Sequence, residues 1–120
     1  MPIIFFNFGN PDFLDVALKQ AKYTNPNDGN RKDYVKHIHY SELMDIEAIE
    51  FSNNYINLST NNEVYEKICF LRWFLIRNLV KRENIDRFFC TDSDVLLFCD
   101  ITEQAENFKN YRYTLTHNVS

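Results

Sequence analysis

The alternation of apolar and polar positions predicts a strand followed by a helix at the start of the chain. "IIFFNF" (residues 3–8) is almost wholly apolar and is closed by Gly-Asn-Pro, a pattern typical of a strand buried on both faces, as in a parallel sheet. "PDFLDVALKQAKY" (11–23) then places apolar side chains near helical spacing and acids in its first turn. A strand, a tight turn and a helix make the opening of a βα unit.

The strongest helical pattern covers residues 60–84. Thr60 and Glu63 have the spacing of a capping box at its start. Apolar residues occupy several sides of this helix, so we expect it to be covered on more than one side. One apolar row consists of Val64, Ile68, Leu71, Leu75 and Leu79. The neighbouring row consists of Tyr65, Cys69, Arg72 and Ile76. Trp73 is expected to lie in the core, and Arg77 and Arg82 are expected to be solvated.

The remaining pattern completes an α/β prediction. A helix capped by Ser41 is expected over 41–51, and a helical turn over 101–108. Short strands are expected at 34–40, 87–90, 94–98 and 111–116. This order predicts a single domain over residues 1–120, a Rossmann-like α/β sandwich with a largely parallel sheet. In such sheets, ligands bind beyond the carboxyl ends of the strands.

Composition narrows the function classes. The chain has 120 residues with 45% hydrophobic and 16% aromatic residues, enough for a packed core. A net charge of −4 argues against a nucleic-acid partner. The three cysteines lack metal-ligand spacing with the histidines and are expected to be buried free thiols, which suits the cytoplasm. Neither a signal peptide nor a transmembrane segment is predicted.

Two carboxylates stand one residue apart between apolar runs in "RFFCTDSDVLLF" (87–98). In extended backbone, Asp92 and Asp94 would face the same side, with Ser93 turned away. Two hard oxygen ligands at this separation suit Mg²⁺ or Mn²⁺, which keeps its other positions for water and phosphate. The alternative is a turn in which both acids are solvated.

Arg72 bears on this choice, because its helical row predicts a buried or half-buried guanidinium. Such a group needs a planar anionic partner. Either a carboxylate of the domain itself or a phosphate of a ligand would serve.

With "YEKICFLRWFLIRNLV" before it and "IIFFNFGNPDFLDVALKQAKYTNPN" at the start, the acidic segment resembles the beginning of a bacterial DxD-containing glycosyltransferase of the GT-A fold. The resemblance covers nearly all of the chain. It implies that Asp92 and Asp94 hold Mn²⁺ or Mg²⁺ against the diphosphate of a nucleotide-sugar donor. It also implies a donor contact for Arg72, a nucleotide pocket lined by residues 6–8 (Phe6, Asn7 and Phe8), and a place for Ser93 beside the donor.

Two departures from this family qualify the expectation. The segment after the first helix, "NDGNRKD", lacks the apolar run of a second nucleotide-binding strand. The chain also stops at Ser120, about where an acceptor half would begin. We therefore expect a donor-binding half, with the catalytic residues and the saccharide or protein acceptor site beyond Ser120. The isolated chain is expected to self-associate or to be marginally folded, without transferase activity.

Two other functions fit the same residues. "FFCTDSDVLLF" also resembles the first motif of haloacid-dehalogenase-type phosphatases, which implies Asp92 as the nucleophile, Asp94 as the general acid and Mg²⁺ on Asp92. That motif normally follows the first strand of its fold, whereas here about 86 residues precede it. The second is a non-catalytic α/β interaction domain or remnant. Metal binding separates this last function from the two enzymes.

Overall fold

A computed structural model describes residues 1–9, 12–26 and 38–115 of the chain. Within these ranges it contains two strands, four α-helices and two short 3₁₀ turns, at Tyr40–Glu42 and Glu106–Phe108. In chain order, the strands and α-helices are β1 (Ile3–Phe6), α1 (Phe13–Thr24), α2 (Ile46–Asn54), α3 (Glu63–Glu83), β2 (Phe89–Asp92) and α4 (Ile101–Ala105). The predicted mixed α/β character is confirmed.

The two strands form a parallel sheet. Their register runs from Ile3 opposite Phe89 to Phe6 opposite Asp92. The long connection between them carries α1, α2 and α3, as a parallel pair requires. The parallel pairing agrees with the prediction, and it brings the ends of both strands to one edge.

Two apolar clusters flank β1, one on each side. The first joins β1, α1 and the start of α4 through Ile3, Ala21, Leu97 and Ile101, with Met1, Phe5 and Phe89 packed against it. The second joins α2 and α3 through Leu43, Ala48, Leu71 and Leu75, with Phe6 among the side chains packed against it. Successive residues of a strand point to opposite faces, so Phe5 and Phe6 reach different clusters. Apolar side chains therefore pack against both faces of the first strand, although only Ile3 of its four residues is fully buried.

Helix α3 begins two residues later than the capping-box prediction places it. Asn62 is the N-cap, and its Oδ1 accepts hydrogen bonds from the backbone N–H groups of Val64 and Tyr65 at 2.9 and 3.2 Å. Asn is as good an N-cap as Thr or better, and it displaces Thr60 from that role. The helix ends at Glu83, and its C-cap, Asn84, has a left-handed φ of 52°, a conformation that Asn tolerates well.

Helix α2 is likewise capped by a different residue from the one predicted. Asp45, not Ser41, is its N-cap, and Asp45 Oδ1 accepts a hydrogen bond from the N–H of Ala48 at 2.8 Å. Ser41 lies in the preceding 3₁₀ turn. Arg77 of α3 makes ion pairs with Asp45 (2.8 Å) and Glu47. The prediction of a solvated Arg77 is therefore wrong, because this side chain joins α3 to the first turn of α2.

The predicted strand at 94–98 is wrong, and Gln20 provides the physical reason. Instead of pairing with a strand, the backbone of Leu97 bonds to a side chain of α1: its N–H donates to Gln20 Oε1 at 2.6 Å, and its carbonyl accepts from Gln20 Nε2. Thr24 Oγ1 also donates to the Leu97 carbonyl, at 2.8 Å. Side chains of α1 thus satisfy backbone groups of Leu97 that a neighbouring strand would otherwise satisfy.

The outer strand predictions fail or lie outside the described residues. Residues 111–115 form no strand, and residue 116 is outside the described range. Of the predicted strand at 34–40, residues 34–37 are outside it, and 38–40 lead into the 3₁₀ turn. In residues 111–115, the alternation of side chains therefore does not correspond to strand pairing.

The solvent exposure of Trp73 and Cys99 contradicts two further predictions from the sequence. Trp73 was predicted to lie in the core, but it is 50% exposed. The cysteines are free, but only Cys69 and Cys90 are partly covered, while Cys99 is exposed. In the described part of the chain, no helix is both long and apolar enough to cross a membrane.

Candidate functional site

The carboxyl edge of the parallel sheet gathers the acidic segment and the end of the first strand. Because Phe6 is the register partner of Asp92, the residues that follow each strand leave the sheet side by side. Ser93 Oγ lies 3.5 Å from Asn7 Oδ1, at the limit of a hydrogen bond that the hydroxyl donates. Asn7 and Ser93 are 86 positions apart in the sequence but adjacent in the fold. One site therefore contains Phe6, Asn7, Asp92 and Ser93.

An ion pair with Arg72 joins α3 to this edge. Arg72 Nη1 donates to Asp92 Oδ1 at 2.8 Å. The Arg72 side chain is 28% exposed and that of Asp92 is 64% exposed. The half-buried guanidinium predicted from the helical row is confirmed. Of the two partners that the sequence left open, the structure contains the carboxylate of the domain itself.

The guanidinium of Arg72 is only partly used by this contact. Its carbon lies 5.2 Å from the ring centroid of Trp73, a cation–π distance. Its Nε is buried and has no hydrogen-bond partner among the described residues. An arginine carries five N–H donors, and here a single hydrogen bond, to Asp92, holds the group within the described residues. The remaining donors give Arg72 capacity for a further anionic partner.

Asp94 lies in a different setting from Asp92. Strand β2 ends at Asp92, and Asp94 belongs to the turn that follows, where the N–H of Val95 approaches the Asp92 carbonyl at 3.4 Å. The expectation of extended backbone through both acids is therefore wrong, and the turn, not strand alternation, sets the direction of Asp94. Its side chain is exposed and makes no hydrogen bond or ion pair within the described ranges.

Sequence reasoning missed the aromatic neighbours of Phe8. The Phe8 ring lies 5.4 Å from that of Tyr40, and Tyr40 lies 4.6 Å from the ring of His39. Phe8 and Tyr40 are each about half exposed, at 49% and 43%. The two segments are more than 30 residues apart in sequence, and no local pattern joins them. Only the tertiary fold brings Tyr40 beside Phe8, two residues beyond the end of β1.

Burial keeps the Cys90 thiol, which lies near Arg72, protonated at neutral pH. Burial raises the pKa of the Cys90 thiol, the positive charge of Arg72 opposes this rise, and Asp92 adds to it. The pKa of the Tyr65 phenol is also raised, first by its electrostatic interaction and hydrogen bond with the Cys69 side chain and then by burial. Since the thiolate is the reactive form of cysteine, Cys90 is a poor nucleophile and a poor metal ligand here.

The oxygen groups at the edge suit a hard divalent cation. Carboxylate oxygens of Asp92 and Asp94, with the Ser93 hydroxyl and the Asn7 amide nearby, are ligand types that Mg²⁺ and Mn²⁺ prefer. Within the described residues, no group of three or more His, Cys, Asp or Glu side chains is arranged to hold a metal. A cation at this edge would thus depend on ligands from water or phosphate, as Mg²⁺ commonly does.

Comparison of the chain with protein-family models, with curated proteins and with solved structures gave no match. The functional assignment therefore rests on the residues and geometry of the carboxyl edge.

Proposed function

We propose that this chain forms the donor site of a metal-dependent glycosyltransferase and binds a nucleotide-diphospho-sugar. The observation that carries the proposal is the position of Asp92, at the carboxyl end of β2 and beside the end of β1, with Arg72 in contact. Ligands of parallel α/β sheets bind at this edge. The proposal extends to the fold, which we take to be of the GT-A nucleotide-diphospho-sugar transferase type.

In this proposal, each residue of the edge has a separate task. Asp92 and Asp94 would hold Mn²⁺ or Mg²⁺ beside the donor diphosphate. Arg72 contributes a planar set of N–H donors that matches phosphate. A cation held there would supply positive charge for the departing nucleoside diphosphate.

The nucleotide itself would lie along the end of β1. Phe6, Asn7 and Phe8 would line its pocket, and Ser93 would lie close to the donor through its position opposite Asn7. Phe8 presents an exposed aromatic surface at this edge, and such surfaces stack well on bases. The sugar acceptor, a saccharide or a protein, is not specified by these residues.

A non-catalytic α/β domain is the second candidate, and the Arg72–Asp92 ion pair is the observation that favours it. In that case Asp92 serves only as the partner of Arg72, and Asp94 is simply a solvated acid in a turn. The two candidates differ in whether Asp92 and Asp94 bind a cation and a nucleotide.

A ligand-dependent melting screen separates these candidates. Nucleotide sugars with different bases and sugars are tested with Mn²⁺ and, in parallel, with EDTA. A ligand that binds only the folded state raises the melting temperature, so we expect at least one donor to do so in Mn²⁺ and not in EDTA. The double variant Asp92→Asn/Asp94→Asn should lose this response, whereas Asp86→Asn, at another exposed acid, should keep it. No response to any donor would favour the non-catalytic domain.

A further inference from the structure

The contact between Arg72 and Asp92 poses a conflict within the proposed site. The carboxylate that would bind the cation already accepts a hydrogen bond from Arg72 through Oδ1, at 2.8 Å. A guanidinium and a divalent cation repel each other and compete for the same oxygen. Asp92 Oδ1 therefore cannot bind the Arg72 guanidinium and the cation at full strength at the same time.

Arg72 is also bound in a way that permits exchange. One hydrogen bond to a carboxylate that is 64% exposed holds the guanidinium, and ion pairs with such exposure are weak. The buried Nε has no partner among the described residues, so the present position leaves part of the group unsatisfied. Phosphate oxygens would supply the acceptors that this position lacks.

We propose that the Arg72–Asp92 ion pair is an autoinhibitory contact that a divalent cation must displace. In the cation-free chain, Arg72 occupies Asp92. When a cation binds Asp92, Arg72 leaves the carboxylate and becomes available to the diphosphate of the donor. This inference rests on the proposed function, because it takes Asp92 as a cation ligand.

The exchange makes a testable prediction for cation affinity. When another contact blocks the binding site in part of the protein population, the observed affinity falls in proportion to the fraction that remains able to bind. Arg72→Gln removes the competing contact, so the variant should bind Mn²⁺ on the order of fivefold more tightly than the unmodified chain. Arg87→Gln is the matched control: it removes the same charge from an arginine that precedes β2, at the opposite end of the strand from Asp92. It should change the affinity by less than about twofold.

A second measurement follows Arg72 itself. Trp73 is the only tryptophan of the chain, and its ring lies 5.2 Å from the Arg72 guanidinium carbon. Its fluorescence therefore reports departure of the cation from the ring. Mg²⁺, which does not quench fluorescence by paramagnetism, should alter the Trp73 emission of the unmodified chain and of Arg87→Gln. It should leave the emission of Arg72→Gln and of Asp92→Asn unchanged.

The experiment is a titration of Mn²⁺ alone, read from the paramagnetic resonance signal of the free ion, together with the Mg²⁺ fluorescence titration. Tighter Mn²⁺ binding by Arg72→Gln and a Trp73 response that requires both Arg72 and Asp92 support the exchange. If the chain binds Mn²⁺ through Asp92 but Arg72→Gln binds no more tightly than Arg87→Gln, or Trp73 does not respond, the exchange is wrong and the proposed function stands. If neither the chain nor Arg72→Gln binds Mn²⁺, both proposals are wrong.

Discussion

At the scale of single residues, the central feature is that one acid of the D-x-D segment is already paired. Asp92 contacts Arg72, whereas Asp94 lies exposed in the following turn. The sequence predicted a half-buried Arg72 from its helical row, because burial follows helical periodicity. It could not choose the partner, because the distance between residues 72 and 92 depends on how α3 packs against the end of β2.

Arg72→Lys tests the donor contact of this residue. A lysine keeps the charge but cannot reproduce the planar fork of N–H donors, so nucleotide binding in Mn²⁺ should weaken by about tenfold. Arg82→Lys, at an arginine paired with Glu42 and Glu83, is the control and should bind normally. Calorimetry gives the affinities, and thermal melts show whether each variant is folded. A lower melting temperature with unchanged nucleotide affinity would restrict Arg72 to a structural ion pair.

The cysteines give a residue-scale test of the burial around the site. Cys99 is exposed, whereas Cys90 is half-buried and burial raises the pKa of its thiol. Because alkylation requires the thiolate, iodoacetamide at mildly alkaline pH should label Cys99 well before Cys90. Mass spectrometry of the labelled peptides over time measures both rates. Equal rates would contradict the covered position of Cys90 two residues before Asp92.

At the scale of elements, local signals located the helices and strands that have strong patterns of their own. β1, α1 and α3 lie within about two residues of their predicted positions, since each combines an apolar pattern with clear end signals. The strand predicted at 94–98 was wrong because its backbone partner is Gln20, which lies 77 positions away in sequence. The residue pattern of a five-residue segment does not show whether its backbone groups hydrogen-bond to a neighbouring strand or to a distant side chain.

The hydrogen bonds between Gln20 and Leu97 should therefore contribute to the free energy of unfolding of the protein. Gln20→Ala leaves the buried Leu97 without its side-chain partner at the N–H, and an unsatisfied buried donor costs about 1–3 kcal/mol. The free energy of unfolding, from urea titration, should fall by an amount in that range. Gln104→Ala, at an exposed glutamine of α4, should change it little. Equal stability of the two variants would show that the bonds between Gln20 and Leu97 contribute nothing.

Because Asp45 is the N-cap of α2, we expect the free energy of unfolding to depend on pH in the range where this carboxyl titrates. The backbone N–H of Ala48 is the main cause that lowers the pKa of Asp45 below its ordinary value of 3.8, with Asn78 and Arg77 adding to it. A carboxyl with a lowered pKa stabilises the folded state above its unfolded value and loses that contribution as the pH falls through the folded value. Asp45→Asn retains a capping oxygen but does not titrate. The difference in unfolding free energy between the two proteins should therefore shrink below about pH 3.8. A constant difference down to pH 2 would contradict this role.

At the scale of the whole molecule, the α/β class and the parallel pairing followed from the order of elements. The extent of the sheet did not, because the two strands described here are the only ones in the described ranges. Strand pairing joins residues far apart in sequence, so the segments at 94–98 and 111–115 could look like strands without having partners. The placement of Asp92 at the carboxyl edge was predictable, since it depends on strand direction alone.

Exposed apolar side chains lead us to predict self-association. Ile56 and Leu58, between α2 and α3, are 75% and 94% exposed, and Phe98 beyond the acidic turn is 79% exposed. Apolar surface that collects into patches commonly marks an interface. Sedimentation velocity should show a sedimentation coefficient that rises with protein concentration, and the double variant Ile56→Ser/Leu58→Ser should reduce the rise. A single monomeric species at all concentrations would contradict the prediction.

The claim that Asp92 and Asp94 bind a nucleoside diphosphate through a cation is tested most directly by calorimetry. The diphosphates of uridine, guanosine, adenosine, cytidine and thymidine are titrated into the protein, once with Mn²⁺ and once with EDTA. Without a cation, the two carboxylates and the diphosphate repel one another. We therefore predict that at least one nucleotide binds in Mn²⁺ and that its binding is lost in EDTA. Equal affinity in both conditions, or no binding in either, would contradict the account.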